Sequence, residues 1–315
     1  MSKLLNEPPN QLPNQPKGQS TEQPTRQSEN APLDRSAPPQ QSVATPSIGQ
    51  CIKQEGILLL VAVQFLTRLP VPAFKTYDPQ WLHQSSRHFP AVGLLVGLLC
   101  AGVFWLASLL FTPLVAAVIS TVFGVRLTGA FHEDGLADSC DGLGGGLTRE
   151  RTLTIMKDSR LGTYGVLGLV SALLIKISLL ASMPLSVAIV ALIMAHTASR
   201  LLCISLLALL PYGGEVEHAK AKPMAQQLTP LQALFSSGWL LVAGALVVFL
   251  LPSTVQQIGL SQWIVALILA LLATDYMRRL LLRRLDGYTG DGLGATQQVS
   301  EIAIYAGLAA SIPFV

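Results

Sequence analysis

Six stretches of roughly twenty apolar residues decide what this chain can fold into. They fall near 91–112, 113–131, 164–182, 184–210, 230–251 and 262–277, with a shorter seventh near 300–315. About 20 helical residues cross the hydrocarbon core of a bilayer. No water is available there, so every backbone N–H and C=O must be satisfied within the segment, which a continuous apolar run does as a helix. Charged residues make up 12% of the chain, about half the share of a soluble domain. The expected fold class is therefore all-α, a polytopic integral membrane helical bundle of about six to eight helices. The first apolar run, 56–69, is too short to span comfortably and reads as re-entrant or as lying in the interface.

Composition shifts near residue 50. The first fifty residues hold nine of the twenty prolines, eight glutamines, and balanced charges. Such a segment has too little apolar surface to offset its ordering entropy. The expected organisation is a disordered Pro/Gln-rich tail over 1–50 and one membrane-embedded domain over 51–315. The tail has neither the apolar core nor the small-residue cleavage site of a secretory signal, its acids argue against a transit peptide, and no chemistry is assigned to it.

The charges sort the connections into two kinds. Segments around 68–90, 132–163, 212–229 and 278–299 carry essentially all the extramembrane Lys and Arg, whereas 111–114, 182–186 and 252–261 carry none. The positive-inside rule places every charged connection in the cytoplasm. Two acidic, glycine-rich segments then share that face: His132-Glu133-Asp134-Gly135-Leu136-Ala137-Asp138-Ser139-Cys140-Asp141-Gly142, and Asp286-Gly287-Tyr288-Thr289-Gly290-Asp291-Gly292-Leu293-Gly294.

The first segment is the strongest chemical signal. Its four acids have no Lys or Arg between Arg126 and Arg149 to neutralise them. In a helix Asp134, Asp138 and Asp141 stand at i, i+4 and i+7, so their carboxylates share a face and repel one another. A hard divalent cation such as Mg²⁺ turns that repulsion into binding and keeps positions open for substrate phosphates; a solvated acidic loop is the plainer alternative. Glycines at 287, 290, 292 and 294 allow close backbone approach to phosphate oxygens, although neither run fits a P-loop or a Rossmann fingerprint. Between the two segments lies Met156-Lys157-Asp158-Ser159-Arg160-Leu161-Gly162-Thr163. Arg160 is suited to clamp a phosphate, Lys157 to add a point charge, and Asp158 to join the ligands. Interfacial anchoring accounts for Arg149 and Arg151 equally well.

Polar residues within the spans are costly. Arg200, with His196 and Ser199 in the 184–210 span, calls for a buried partner or a phosphate. Lys176 is expected to snorkel outward, and Asp275 to pair with Arg278 and Arg279. Cys51, Cys100, Cys140 and Cys203 have no metal-type spacing and indicate neither a disulfide nor a thiolate site.

Taken together, Phe65-Leu66-Thr67-Arg68-Leu69-Pro70-Val71-Pro72, Phe89-Pro90, the His132-to-Gly142 block, Met156-to-Thr163 and Thr289-Gly290-Asp291-x-Leu293-Gly294-Ala295 resemble the cobalamin synthase, or adenosylcobinamide-GDP ribazoletransferase, family. The resemblance covers roughly residues 56–315. It implies a multi-pass enzyme of the bacterial cytoplasmic (inner) membrane that joins adenosylcobinamide-GDP to a ribose hydroxyl of α-ribazole, or of α-ribazole 5′-phosphate, and releases GMP. It also implies Mg²⁺ as cofactor and an active site facing the cytoplasm. On this reading Asp134, Asp138 and Arg160 are catalytic, and Asp134, Asp138, Asp141, Asp158 and Asp291 are metal ligands or, for Asp134, the base. His132, Lys157, Arg200, Thr289 and Gly290 contact substrate. Asp286-Gly287-Tyr288 departs from the family pattern, and neither Asp286 nor Glu133 is assigned a role. The lipid bilayer is a partner, nucleic acid is not, and homo-oligomerisation is left open. Two other classes remain. A CDP-alcohol phosphotransferase would use similar chemistry but needs Ala-Arg where Asp138-Ser139 stands, and a metal-ion transporter is expected to hold its acids near the bilayer midplane.

Overall fold

The computed structural model describes residues 47–74, 78–214 and 228–310, so residues 1–46 of the expected disordered tail lie outside the described part. Among the described residues twelve α-helices follow in order: α1 (Ile48–Leu66), α2 (Pro79–Ser85), α3 (Phe89–Ser108), α4 (Pro113–Thr128), α5 (Phe131–Gly145), α6 (Arg149–Met156), α7 (Thr163–Ser182), α8 (Leu185–Leu209), α9 (Pro230–Leu250), α10 (Pro252–Gln257), α11 (Leu260–Leu285) and α12 (Gly290–Leu308). Among the described residues no strand forms; an isolated parallel bridge joins Tyr212 to Tyr288. Prolines in the first turn open α2, α3, α4, α9 and α10, a position where the missing N–H costs no bond.

Among the described residues six helices can, by length and composition, cross a membrane: α1, the stretch 79–108 that contains α3, α7, α8, α9 and α11. The bent pair α4 and α5 makes a seventh if counted as one span. Most apolar stretches therefore became helices close to the expected bounds. The expected 262–277 span continues as α11 to Leu285, so Arg278, Arg279, Arg283 and Arg284 extend a helix instead of forming a loop. Asp275 accepts from Arg278 and Arg279 at 2.9 and 2.6 Å, the pairing expected of it. The final helix begins ten residues before the stretch near 300, because Thr289 caps it by accepting from Gly292 N at 3.0 Å.

The first apolar run also begins earlier, as α1 starts at Ile48 on a Ser47–Gln50 capping box. At 19 residues α1 is long enough to span, which corrects the shorter estimate, but its contacts lie crosswise. Glu55 meets Arg87 and His88 at 2.6 and 2.9 Å, and ten residues later Phe65 stacks on Phe89. Ten residues of helix extend about 15 Å, yet both ends meet three consecutive residues, so α1 passes across the start of α3.

The core is built on α8, whose Val187 to Leu207 stretch is buried nearly all round. Gly93 and Gly97 of α3 lie against it. A Cβ at Gly93 would come within 2.2 Å of His196 O, and one at Gly97 within 2.8 Å of Leu192 O. This is small-residue packing at four-residue spacing, as membrane helices use to bring backbones together. Helix α8 also packs on α12, which in turn packs on α11 and α5.

Candidate active site

The acidic helix is set by a turn. Gly129 (φ 69°) and Ala130 (φ 61°) both take the left-handed conformation, which a residue with a Cβ adopts at a cost of about 1–2 kcal/mol. Together they turn the chain by 90° between α4 and α5. Arg68 packs over this turn, its Nε 2.5 Å from where a Gly129 Cβ would stand. Helix α5 then carries Glu133 and Asp134 in its first turn, where the helix dipole favours anions. The expected face of Asp134, Asp138 and Asp141 forms. Asp134 is exposed, Asp138 half-buried and Asp141 buried.

A second helix reaches this face because both helices are glycine where they cross. A Cβ at Gly135 would lie 2.9 Å from Asp291 O and 3.3 Å from Gly294 Cα, and one at Gly294 would touch the backbone of His132 and Gly135 at 3.4 Å. Backbone contact brings Asp291, in the first turn of α12, beside the acids of α5. These carboxylates belong to α5 and to the first turn of α12, neither of which is by itself long and apolar enough to span. Burial, then the charges of Asp291, Asp134 and Asp141, pushes the Asp138 carboxyl up to about 7. Burial and Asp134 push Asp291 up to about 6. The cluster is thus an uncompensated concentration of negative charge.

The remaining expected residues divide into four groups. Asp141 points to α7: its two oxygens accept Gly162 N and Gly165 N at 2.7 and 2.8 Å, at the cap and first turn of that helix. Asp158 and Arg160 pair with each other in the connection from α6 to α7, at 2.6–3.2 Å. The Arg160 side chain is 88% exposed, and its hydrogen bonds hold the Asp158 carboxyl down to about 2. Lys157, Thr289, Gly290 and Asp291 do converge, lining a pocket of about 100 Å³ with Leu153, Met156, Tyr212 and Gly214. Gly290 is exposed there with open space where a Cβ would be.

Arg200 and His132 lie elsewhere. Arg200 is 1% exposed and His132 4%. Both line an internal cavity with Glu133, Lys176, His196 and Glu301. The partner expected for Arg200 is thus protein: its Nη1 donates to His196 O at 3.0 Å. Lys176 does not snorkel but is buried in an ion pair with Glu301. Snorkelling failed because the anion is supplied by α12, over a hundred residues away in sequence.

Sequence reasoning missed Tyr212 and Glu301. Tyr212 is brought to the pocket by the backbone bonds Gly213 N to Tyr288 O and Tyr288 N to Pro211 O, at 2.8 and 2.9 Å. No local pattern announces it. Glu301 was legible in principle, as a lone acid in an apolar stretch. Among the described residues no three His, Cys, Asp or Glu side chains form a ready metal cage.

Residues 58–309 match the cobalamin-5-phosphate synthase family. An adenosylcobinamide-GDP ribazoletransferase of Leptothrix cholodnii is 47% identical over 263 residues, covering 82% of this chain and 97% of that protein. Proteins of the same name from Polaromonas sp. and Vibrio cholerae are 46% and 43% identical, covering 80% and 79% of this chain and 96% and 91% of theirs. No solved structure matches. These likenesses favour neither a lipid-forming CDP-alcohol phosphotransferase nor a metal-ion transporter.

Proposed function

The chain belongs to the cobalamin-5-phosphate synthase family, and we propose that it transfers the adenosylcobinamide-phosphate moiety of adenosylcobinamide-GDP to a ribose hydroxyl of α-ribazole or its 5′-phosphate, releasing GMP. The observation that carries this reading is the crossing of two glycine-containing helices that gathers Asp134, Asp138 and Asp291 beside the pocket of Lys157, Thr289 and Gly290. A phosphoanhydride donor brings negative phosphates, and the pocket offers a lysine and the first-turn N–H groups of α12 to hold them. Arg160 stands on the adjoining connection, exposed and able to exchange Asp158 for a diphosphate oxygen. Asp134, the exposed member of the cluster, is placed to remove the proton of the attacking hydroxyl. Asp141 serves the site by holding the Asp158–Gly162 connection against α5 through Gly162 N.

Mg²⁺ is part of the proposal. The donor set is hard oxygen; burial first and mutual repulsion second raise Asp138 and Asp291, and the repulsion is what a divalent cation relieves. A cluster short of a full cage suits Mg²⁺, which is usually held by one or two carboxylates together with substrate phosphates. Asp138 and Asp291 would hold it, leaving Asp134 as the base and Asp141 and Asp158 occupied as described. When bound, the ion supplies charge neutralisation on the transferred phosphoryl and the departing GMP.

We further place the site on the cytoplasmic side of a bacterial inner membrane, from the basic residues that border it. The test is GMP release and corrinoid product formation by purified, reconstituted protein given adenosylcobinamide-GDP and α-ribazole, with and without Mg²⁺. Metal-dependent product is expected. No product from correctly inserted protein would overturn the reading, and equal turnover in chelator would remove the metal from it.

A further inference from the structure

Behind the acidic face of α5, on the side turned away from the cluster, lies a buried charge network drawn from four helices. Its centre is Glu301 of α12, fully buried. Glu301 pairs with Lys176 of α7 and lies 3.2 Å from His196 Nδ1 of α8. It accepts from Gln297 Nε2 at 2.6 Å and from Tyr305 OH at 3.0 Å. Arg200 joins through His196. Beside His132, which lines the same cavity, the network is hydrogen-bonded to α5 at Glu133: Gln298 donates to Glu133 Oε1 at 3.0 Å and to Gln297 Oε1 at 2.9 Å.

Two features give Glu133 a purpose beyond packing. First, the charges balance only if it is included. Lys176 and Arg200 contribute two positive charges and Glu301 one negative; histidine ordinarily titrates at about 6.5, so at pH 7.5 the imidazoles count as neutral. Glu133, lining the same cavity, closes the balance. Second, Glu133 Oε2 is buried without a hydrogen-bond partner, as is Arg200 Nε. Buried polar groups left unpaired weaken a fold, so an apolar residue would serve stability better here. Glu133 is also the sequence neighbour of Asp134 in the first turn of α5, so the rotation of the helix that seats one sets the direction of the other.

We propose that Glu133 is a positioning residue: its charge, held against Lys176 and Arg200 and its hydrogen bond to Gln298, fixes the rotation of α5 over α12 and so the placement of Asp134 and Asp138. Its carboxylate touches neither substrate nor metal. The inference rests on the transferase reading above, and wild-type protein that makes no product would fail that reading without bearing on the variants.

The experiment compares Glu133→Gln, Lys176→Met and the double variant in reconstituted wild-type background, measuring kcat, KM for both substrates and thermal melting. Glu133→Gln keeps shape and removes charge. It is expected to lower kcat about 10- to 100-fold, since small displacements of reacting groups cost that much, with both KM values within about 3-fold. Lys176→Met removes the opposite charge, and the charge-balanced double variant is expected to recover kcat to within about 5-fold of wild type. Loss of melting temperature with wild-type kcat in Glu133→Gln would leave only a structural role and overturn the proposal. A raised KM that Lys176→Met does not rescue would instead place Glu133 against substrate. Should Glu133→Gln not fold, the double variant decides: folded protein with kcat down 10-fold or more overturns it.

Discussion

Replacing Gly135 with alanine tests how closely the two helices of the site must approach. The added Cβ stands 2.9 Å from Asp291 O and 3.1 Å from Asp291 Cα, against 3.4 Å for ordinary contact, a shortfall of 3.4 − 2.9 = 0.5 Å. The obstructing atoms are backbone and cannot rotate aside, so α5 and α12 must separate by about that distance. A displacement of about 1 Å at reacting groups costs about 10²-fold in rate, and half of it, on a logarithmic scale, about 10-fold. Overpacking costs about 1–3 kcal/mol, while alanine gains about 1 kcal/mol of helix propensity over glycine, leaving a net loss of about 0–2 kcal/mol. Gly145→Ala on the same helix is the control, its Cβ meeting only Ile155 Cδ1 at 3.5 Å. GMP release is measured for both variants in proteoliposomes, with melting in detergent. Gly135→Ala is expected to lose about 10-fold in kcat while staying folded, and Gly145→Ala to stay within about 2-fold. Wild-type turnover by folded Gly135→Ala would refute the claim that this contact sets the cluster.

The other predictions are briefer. Asp138→Asn should abolish turnover yet stabilise the metal-free protein. A carboxyl held at about 7 binds its proton more tightly folded than unfolded, so its contribution is present below about 4 and lost as pH rises through 7. Discounted for its partly exposed side chain, the loss is about 1–2 kcal/mol, and melting in chelator at pH 5 and 8 should show a smaller difference in the variant. Glu301→Gln leaves two buried cations facing one balancing acid and should destabilise by about 3–5 kcal/mol, read as loss of melting temperature; an unchanged melt would contradict the ion-pair geometry. Asp141→Ala removes two charge-assisted bonds at the start of α7 and should cost about 2–3 kcal/mol, with amide exchange at Gly162 and Gly165 accelerated. Cysteines introduced at exposed Leu147 and Asp286, in a background without the four native ones, should be labelled from the same side of the membrane; opposite accessibility would separate the two halves of the site.

Much of this protein follows from its linear order of residues. Apolar segments of bilayer length must become helices because lipid offers no other partner for the backbone, and Asp134, Asp138 and Asp141 share a face because helical periodicity gives them no alternative. Asp275 found Arg278 and Arg279 for the same local reason. What the order of residues could not decide is which helix faces which. Asp141 was expected among the ligands, but Gly162 and Gly165 come close enough to take both its oxygens only once α7 packs on α5. Lys176 was read by depth as a snorkelling side chain, and Arg200 as needing a buried partner or a phosphate, with the resemblance favouring substrate, whereas the fold pairs Lys176 with Glu301 of α12 and places Arg200 in the same cavity. Tyr212 reaches the pocket through a backbone bridge between segments more than seventy residues apart. Local periodicity acts within a few residues and is written in the sequence. Pairings between distant segments depend on which backbones can approach, and here the glycines at 135 and 294 permit it.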